Sequence, residues 1–320
     1  MKPTEGYGLM PLVGMEVEVP TWKHSVADYR SVAKSMIAEG YMDQTYAKKW
    51  HTWKCTCAKC TRWDDELIAP WPVQWKTTYD GSIPEEGAEF ITSPFIPTAL
   101  YVDEIEKAFK LICDNALWTM EMEAKNGGPC SPSIHIHTSI QLPQNRKFNE
   151  TRFSQTATSF YPFVPELFAI ADSSNLGQNR GLSFRSPHSK ELLGHHAYLS
   201  PVAHHQSFVH CEWRIWEAAF QDWPYVRSAI YFSSAMMQLL TNSTTYSNML
   251  ERAGGFALTG SDLGSYDTAI RVKDLTDRFD LNRLEVLEAY LLEHTFLRFD
   301  FVAGKYVQDL FDRTRRKFSA

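Results

Sequence analysis

The chain has 320 residues, of which 44% are hydrophobic and 13% aromatic, and its formal net charge at pH 7 is −6. This length and composition predict one large or two small globular domains and exclude a disordered chain. A weakly acidic protein has no broad electrostatic attraction to nucleic acid or to an anionic membrane, so neither is expected as a general partner.

Neither a membrane span nor a secretory leader is expected from the sequence. The most apolar stretch, Ala229–Leu240, is too short to cross a bilayer and contains two serines. No apolar signal region precedes the Glu-rich segment at 16–18, so we expect a cytoplasmic location. Three of the six cysteines cluster and three are scattered, which does not indicate a disulfide framework.

Alternation of apolar and polar residues predicts four strands in the first half of the chain, and helical spacing predicts two helices. The predicted strands are Leu12–Val19, Val73–Thr78, Ala88–Thr92 and Ser133–Gln141. The predicted helices are Asp28–Ala38, with Gly40 as its C-terminal cap, and Thr98–Glu123. Residues 44–72, which are crowded with Trp, Lys and Cys, are interpreted as an insertion.

The second half of the chain changes from mixed elements to helices. Its predicted elements are a helix at Phe160–Asp172, a short strand at Leu182–Phe184, a His-rich loop at 186–207, a strand at His210–Trp216 and mostly helices after Asp222. This order predicts an α+β fold with an antiparallel sheet. We expect one domain over residues 1–220, which contains the insertion, and a helical C-terminal part over 221–320 packed on it.

Several predicted strands carry polar side chains two residues apart, so that both point to the same face of the sheet. These residues are Glu16 and Glu18, His135 and His137, Glu212 and Arg214, and the single Glu89. Any one such pair is more simply a solvent-facing strand side. Several carboxylates and imidazoles that face one cavity are stable only when cations neutralise them. The set therefore predicts a metal site, and carboxylate oxygens favour Mg²⁺ or Mn²⁺.

Three arginines, Arg180, Arg185 and Arg214, are candidates to face such a metal site. Mg²⁺ bridges nucleotide phosphates, and arginines stabilise the charge of a phosphoryl group during its transfer. The sequence has neither a Walker-type phosphate loop nor a GxGxxG after a strand. A nucleotide is therefore expected to be held through metal and arginine and not by a backbone cradle.

Five motifs follow one another along residues 12–217, about two-thirds of the chain. They are GMEVE (14–18), YDGS (79–82) with GAEFITSP (87–94), SIHIH (133–137), NRGLSFR (179–185) and CEWRIWE (211–217). Each motif alone is weak evidence, but together and in this order they resemble the amidoligase family. That family belongs to the superfamily of glutamine synthetase and glutamate–cysteine ligase.

The resemblance implies that residues 1–220 form a glutamine synthetase-like catalytic domain. Its curved antiparallel sheet, with helices on the outside, would form a funnel for ATP. The implied activity is that of an ATP- and Mg²⁺- or Mn²⁺-dependent carboxylate–amine ligase. The substrate carboxylate attacks the γ-phosphate of ATP to give an acyl phosphate, and an amine then displaces phosphate to form an amide or isopeptide bond.

Carried over residue by residue, the resemblance implies a role for each matched position. The implied metal ligands are Glu16, Glu18, Glu89, His135 and Glu212. The implied nucleotide- and substrate-binding residues are His137, Arg180, Arg185 and Arg214, the last at the transferring phosphate. Asp80 and Ser82 match an acidic turn near the substrate or amine, where Asp80 can deprotonate the ammonium.

Two regions have no counterpart in this pattern. In the insertion, His51-x3-Cys55-x-Cys57-x2-Cys60 offers three thiols and one imidazole, a set that can hold a structural Zn²⁺. A reduced, partly buried cysteine cluster is the alternative. The His-rich loop at 186–207 is interpreted as a surface loop, with a second metal or phosphate site as the alternative.

Two further functions stay open from the sequence. A phosphotransferase on the same fold would modify a nitrogen acceptor and accumulate a phosphorylated product. A degenerate ligase fold with a zinc-stapled insertion would be a non-catalytic binding protein.

Substrates and partners are open as well. The substrates range from an amino acid, a peptide or a peptidoglycan fragment to a modified nucleobase, and nucleic acid is a partner only in the last case. Members of the family occur in phage and bacterial gene clusters, which leaves a phage origin open. The apolar stretch Leu281–Leu297 is either a homo-oligomer interface or a layer of the core.

Overall fold

The structure is a computed structural model, and the residues that it describes are 10–23, 28–44, 73–78, 83, 85–117, 133–141, 163–171, 199–201, 208–213, 215–216, 222–254 and 279–318. Within these residues the chain has an α+β fold with one six-stranded sheet and seven α-helices. The predicted fold class is confirmed at this level.

The sheet has the strand order β2-β3-β1-β4-β6-β5. Its strands are β1 (Leu12–Val19), β2 (Trp75–Thr78), β3 (Ala88–Thr92), β4 (Ser133–Gln141), β5 (Leu199–Pro201) and β6 (Phe208–Trp213). β3 pairs antiparallel with both β1 and β2, and β5 pairs antiparallel with β6. Sequence order and sheet order therefore differ, so residues far apart in the chain become neighbours.

Helices lie between the early strands and make up the C-terminal part. They are α1 (Tyr29–Ala38), α2 (Ala99–Asn115), α3 (Val164–Ala171), α4 (Trp223–Thr241), α5 (Ser243–Arg252), α6 (Leu281–His294) and α7 (Phe301–Phe318), with a 3₁₀ turn at Phe296–Arg298. No helix among the described residues is long and apolar enough to span a bilayer. The apolar stretch Ala229–Leu240 is instead buried along its whole length within α4.

Strand β1 has one apolar and one polar face. Val13, Met15, Val17 and Val19 are buried, and the residues that alternate with them are partly exposed. The register with β3 places Val17 opposite Phe90 and Glu18 opposite Glu89. Because side chains alternate along a strand, the apolar pair lies on one face of the sheet and the acidic pair on the other.

The chain divides into two compact units, and the division falls within β4, after Ile136. One unit consists of Leu12–Ile136 and Ala218–Trp223. In this unit α1 and α2 pack on each other, and α2 buries Val102, Ile105, Ala108, Phe109, Ile112 and Cys113 at helical spacing. The Leu117 amide donates to the Thr21 carbonyl at 2.9 Å, which ties the segment after α2 to the segment after β1.

The other unit consists of Met1–Pro11, His137–Glu217 and Pro224–Ala320. A buried ion pair joins two of its helices. Oε1 of Glu166 on α3, a fully buried side chain, accepts from Nη2 of Arg283 on α6 at 3.0 Å and from the Asp280 amide at 2.9 Å. Burial raises the pKa of the Glu166 carboxyl, and Arg283 opposes that shift. Since an uncompensated buried charge is costly, this pair holds the start of α6 against α3.

Several predicted boundaries need correction. The helix predicted to continue to Glu123 ends at Asn115, where Ala116 forms a bridge with Trp22. The strand predicted to continue to Trp216 ends at Trp213. The loop predicted at 186–207 contains the edge strand β5, which pairs with β6. The strand predicted at Leu182–Phe184 lies outside the described residues.

Two cysteines are buried in these elements. Cys113 on α2 and Cys211 on β6 are free thiols, and burial raises the pKa of each well above its ordinary value. Both side chains therefore act as small apolar core residues.

Gly87, just before β3, allows the backbone to pass close to the end of β1. A Cβ atom at this position would lie 2.6 Å from the Val19 carbonyl oxygen and 2.5 Å from the Ile83 side chain. We expect Gly87→Ala to destabilise the protein by about 1–3 kcal/mol, because the strand must move to make room. Urea denaturation measures the loss, with Glu85→Ala at an exposed neighbouring position as the control. Equal stabilities of the two variants would contradict this account of Gly87.

Removal of Arg283 leaves Glu166 as a buried carboxylate without its cation. We expect Arg283→Met to cost about 3–5 kcal/mol at neutral pH. The cost should be smaller near pH 5 than near pH 7, because burial raises the folded pKa of Glu166 and the loss of Arg283 removes an interaction that opposes this shift. A carboxyl with a raised folded pKa destabilises the fold increasingly as pH rises from its unfolded pKa through its folded pKa. Denaturation at both pH values tests this.

Arg30→Met is the matched control for Arg283→Met, because Arg30 pairs with Asp28 at the surface and its loss should leave stability nearly unchanged. An Arg283→Met penalty that is equal at both pH values would contradict the role assigned to Glu166.

Candidate metal centre

The polar face of the sheet collects the acids and histidines of four strands. Alternation places Glu16 and Glu18 of β1 opposite the buried valines. On β4, His135 and His137 alternate with buried Ile134 and Ile136. Glu89 of β3 lies on the same face because it is directly opposite Glu18 in the pairing of β1 and β3. Glu212 of β6 lies there because it alternates with buried Cys211 and Trp213.

Three of these side chains form a candidate metal centre. Glu16, His135 and Glu212 each offer one ligand atom, and these atoms lie within 4.8 Å of one another. Nδ1 of His135 lies 2.9 Å from Oε2 of Glu16. His135 and Glu212 are 6% and 4% exposed, so the donor atoms are largely withdrawn from water. Two carboxylates held this close repel each other, and a bound cation would offset that repulsion.

The ligand atoms of this cluster suit a hard divalent cation. Carboxylate oxygens suit Mg²⁺ and Mn²⁺, and a single imidazole nitrogen is compatible with Mn²⁺. Two ligands at about 2.1 Å from a metal and at right angles to each other are about 3.0 Å apart. The 2.9 Å separation of His135 and Glu16 therefore suits a hydrogen bond in the metal-free chain and a shared ion equally well.

A second pair of carboxylates lies farther along the same face. Glu18 and Glu89 are directly opposite each other in the antiparallel pairing of β1 and β3, and Thr78 of β2 is opposite Glu89 on its other side. Cβ atoms of opposed residues are about 4.5–5.5 Å apart, and like charges so placed repel each other. Glu89 is only 7% exposed, which increases that cost. A positive charge nearby offsets this repulsion.

A chain of hydrogen bonds links β4 and β6 on the same face. Nδ1 of His137 lies 3.0 Å from Nε2 of His210, and Nδ1 of His210 lies 3.2 Å from Oγ of Ser139. The two rings meet edge to face, with centroids 5.2 Å apart. A hydroxyl can donate or accept, so the chain can run in either direction. When Ser139 donates, His210 donates to His137, and the remaining ring nitrogen of His137, Nε2, carries a proton.

Sequence reasoning missed His210, Ser139, Thr78 and Lys76 on this face. Each follows from the alternation that identified their neighbours: His210 is two residues before Glu212, and Ser139 is two residues after His137. Lys76 is opposite Ile91, which is itself opposite Glu16. The alternation of polar and apolar residues along each strand is the signal that identifies all four.

Several predicted site residues lie outside the part of the chain that the structure describes. These are Asp80, Ser82, Arg180, Arg185, Arg214, the set His51, Cys55, Cys57 and Cys60, and the histidines of the 186–207 loop. The structure thus brings together the predicted metal ligands Glu16, His135 and Glu212, and it pairs Glu18 with Glu89.

Comparisons of this chain with protein-family models, with curated proteins and with solved structures found no match.

Proposed function

We propose that the protein is a Mg²⁺- or Mn²⁺-dependent, ATP-consuming carboxylate–amine ligase. The observation that supports this most is the cluster of Glu16, His135 and Glu212 on the polar face of the sheet. The opposed pair of Glu18 and Glu89 adds a second concentration of negative charge on that face. A face with this much negative charge can approach nucleotide phosphates only through cations, which is the arrangement that phosphoryl transfer uses.

The proposed reaction has two steps. An oxygen of the substrate carboxylate attacks the γ-phosphorus of ATP, the bond to the bridging oxygen breaks, and ADP leaves. The amine nitrogen then attacks the acyl carbon, the bond to the phosphate oxygen breaks, and inorganic phosphate leaves as the nitrogen loses a proton. A divalent cation supplies charge stabilisation for the first step when it is bound.

Different residues of this chain have different roles in the proposed reaction. Glu16, His135 and Glu212 would hold one cation, and Glu18 and Glu89 add negative charge to the same face. His137 is oriented by His210 and Ser139, so that it can donate a hydrogen bond to a phosphate oxygen. Two further assignments rest on the family resemblance alone. The proposed phosphate- and substrate-binding arginines are Arg180, Arg185 and Arg214. The proposed amine site consists of Asp80 and Ser82.

Cation binding is the first test of the proposal. Glu16→Gln preserves the shape of the side chain but removes its charge, so the affinity for Mn²⁺ should fall at least about tenfold. Electron paramagnetic resonance of free Mn²⁺ gives the affinity, and competition with Mg²⁺ gives that of the physiological ion. Glu285→Gln removes the same charge at an exposed position on α6 and should change nothing.

Circular dichroism of both variants establishes that they are folded. If folded wild type and Glu16→Gln bind Mn²⁺ with equal affinity, the assignment of the metal centre is wrong.

Turnover is the second test. With Mg²⁺, ATP and a panel of amino-acid, peptide and peptidoglycan carboxylates, the wild type should form a hydroxamate when hydroxylamine replaces the amine, because hydroxylamine captures an acyl phosphate. Glu16→Gln should lower this rate roughly a hundredfold or more, because the cation stabilises the transferring phosphoryl group by several kcal/mol. Glu285→Gln again serves as the matched control.

Isotope transfer separates a ligase from a phosphotransferase. A carboxylate labelled with ¹⁸O should pass one labelled oxygen to the phosphate released by a ligase. A stable phosphorylated amine that contains no ¹⁸O from the carboxylate would instead support the phosphotransferase. Absence of nucleotide binding by calorimetry in the presence of Mg²⁺ would exclude both activities and support a binding protein.

A further inference from the structure

The turn between α6 and α7 exposes a group of large apolar side chains. Phe301 is 83% exposed, Phe299 62% and Val302 54%, and we refer to these three residues as the Phe301 patch. Among the described residues, the other large apolar side chains with high exposure are Met10, Leu100 and Leu281, which are far apart in sequence. Isolated exposed apolar residues are ordinary, whereas a contiguous group indicates an interaction surface.

The backbone of the patch is held in place by Asp300. Oδ1 of Asp300 accepts from the Ala303 amide at 3.0 Å at the start of α7, and the Asp300 amide donates to the Phe296 carbonyl at 3.1 Å. The Arg298 guanidinium lies over the Phe299 ring, 5.7 Å from its centroid. The aromatic side chains therefore project from an ordered turn, which lowers the entropy cost of using them in a contact.

A groove of about 540 Å³ lies beside the patch, between the end of α6 and the start of α7. Leu292, Leu297 and Gly304 line it, and Phe301 forms part of its wall. Its rim carries charges of both signs: Glu293 of α6 is acidic, Arg298 and Lys305 are basic, and all three are exposed. The same small surface thus provides a protruding ring, a groove with apolar side chains in its wall and charges of both signs.

We propose that this surface is the interface of a homodimer with two-fold symmetry. In such an interface the same patch of both copies meets itself, so it must be complementary to itself. The Phe301 ring of each copy enters the groove of the other, and Glu293 of each copy faces Lys305 of the other. Within one chain, Lys305 forms an exposed ion pair with Asp309 at 3.0 Å. Replacing such an exposed pair by a pair with Glu293 of the other copy costs little free energy.

The mass of the full chain in solution tests this proposal. Sedimentation velocity over a concentration series should show a monomer–dimer equilibrium, and Phe301→Asp should raise the dissociation constant of the dimer roughly tenfold or more. Because Phe301 is mostly exposed, this variant should keep the melting temperature of the monomer. Leu100→Asp, at an isolated exposed position on α2, is the matched control and should leave the equilibrium unchanged.

Charge reversal tests the symmetry of the contact. Glu293→Lys alone and Lys305→Glu alone should each weaken the dimer, because each places like charges across the interface. The double variant should restore dimerisation, since each contact again joins one acid to one base.

Three outcomes would overturn the proposal. These are a wild-type monomer up to about 100 µM, a dimer that Phe301→Asp does not weaken, and a monomer that floats with phosphatidylcholine vesicles through Phe301.

Discussion

Carboxylates that are withdrawn from water require a positive charge nearby, and this requirement governs one whole face of the sheet. The opposite face is apolar, and Val17, Phe90 and their neighbours are buried there. The two faces are coupled by the alternation of strand residues. A shift of β1 by one residue would bury Glu16 and expose its valines, so the packing of the core also fixes the position of each acid.

Much of the fold could be predicted because alternation is a strong local signal. The bounds of β1, β3 and β4 follow from it directly, since each has apolar residues at every second position. The prediction of α2 was eight residues too long because helical spacing continues past Asn115, while a tertiary contact of Ala116 with Trp22 ends the helix. The three-residue strand β5 contains Pro201 and is defined only by its partner β6, which no local pattern reveals.

The ligands of the candidate centre could be identified from the sequence, but their grouping could not. Alternation identifies Glu16, His135 and Glu212 one strand at a time, and only the strand order makes them neighbours. The opposition of Glu18 and Glu89 likewise depends on register, which is set by pairing across the sheet. Alternation places His210 on the same face as Glu212, but its hydrogen bond with His137, 73 positions away, depends on the strand order.

The separation of 119 positions between Glu16 and His135 has a consequence for how the protein folds. Contacts between such distant residues form late, because the entropy of closing a long loop must be overcome before the contact contributes stability. A chain in which β4 has not yet joined β1 has the separate ligands but no centre. The cation binding proposed for this centre would then be selective for the fully assembled sheet, and a saturating cation would raise the free energy of unfolding by mass action. Under that proposal, the same ion that serves the reaction also favours the folded chain.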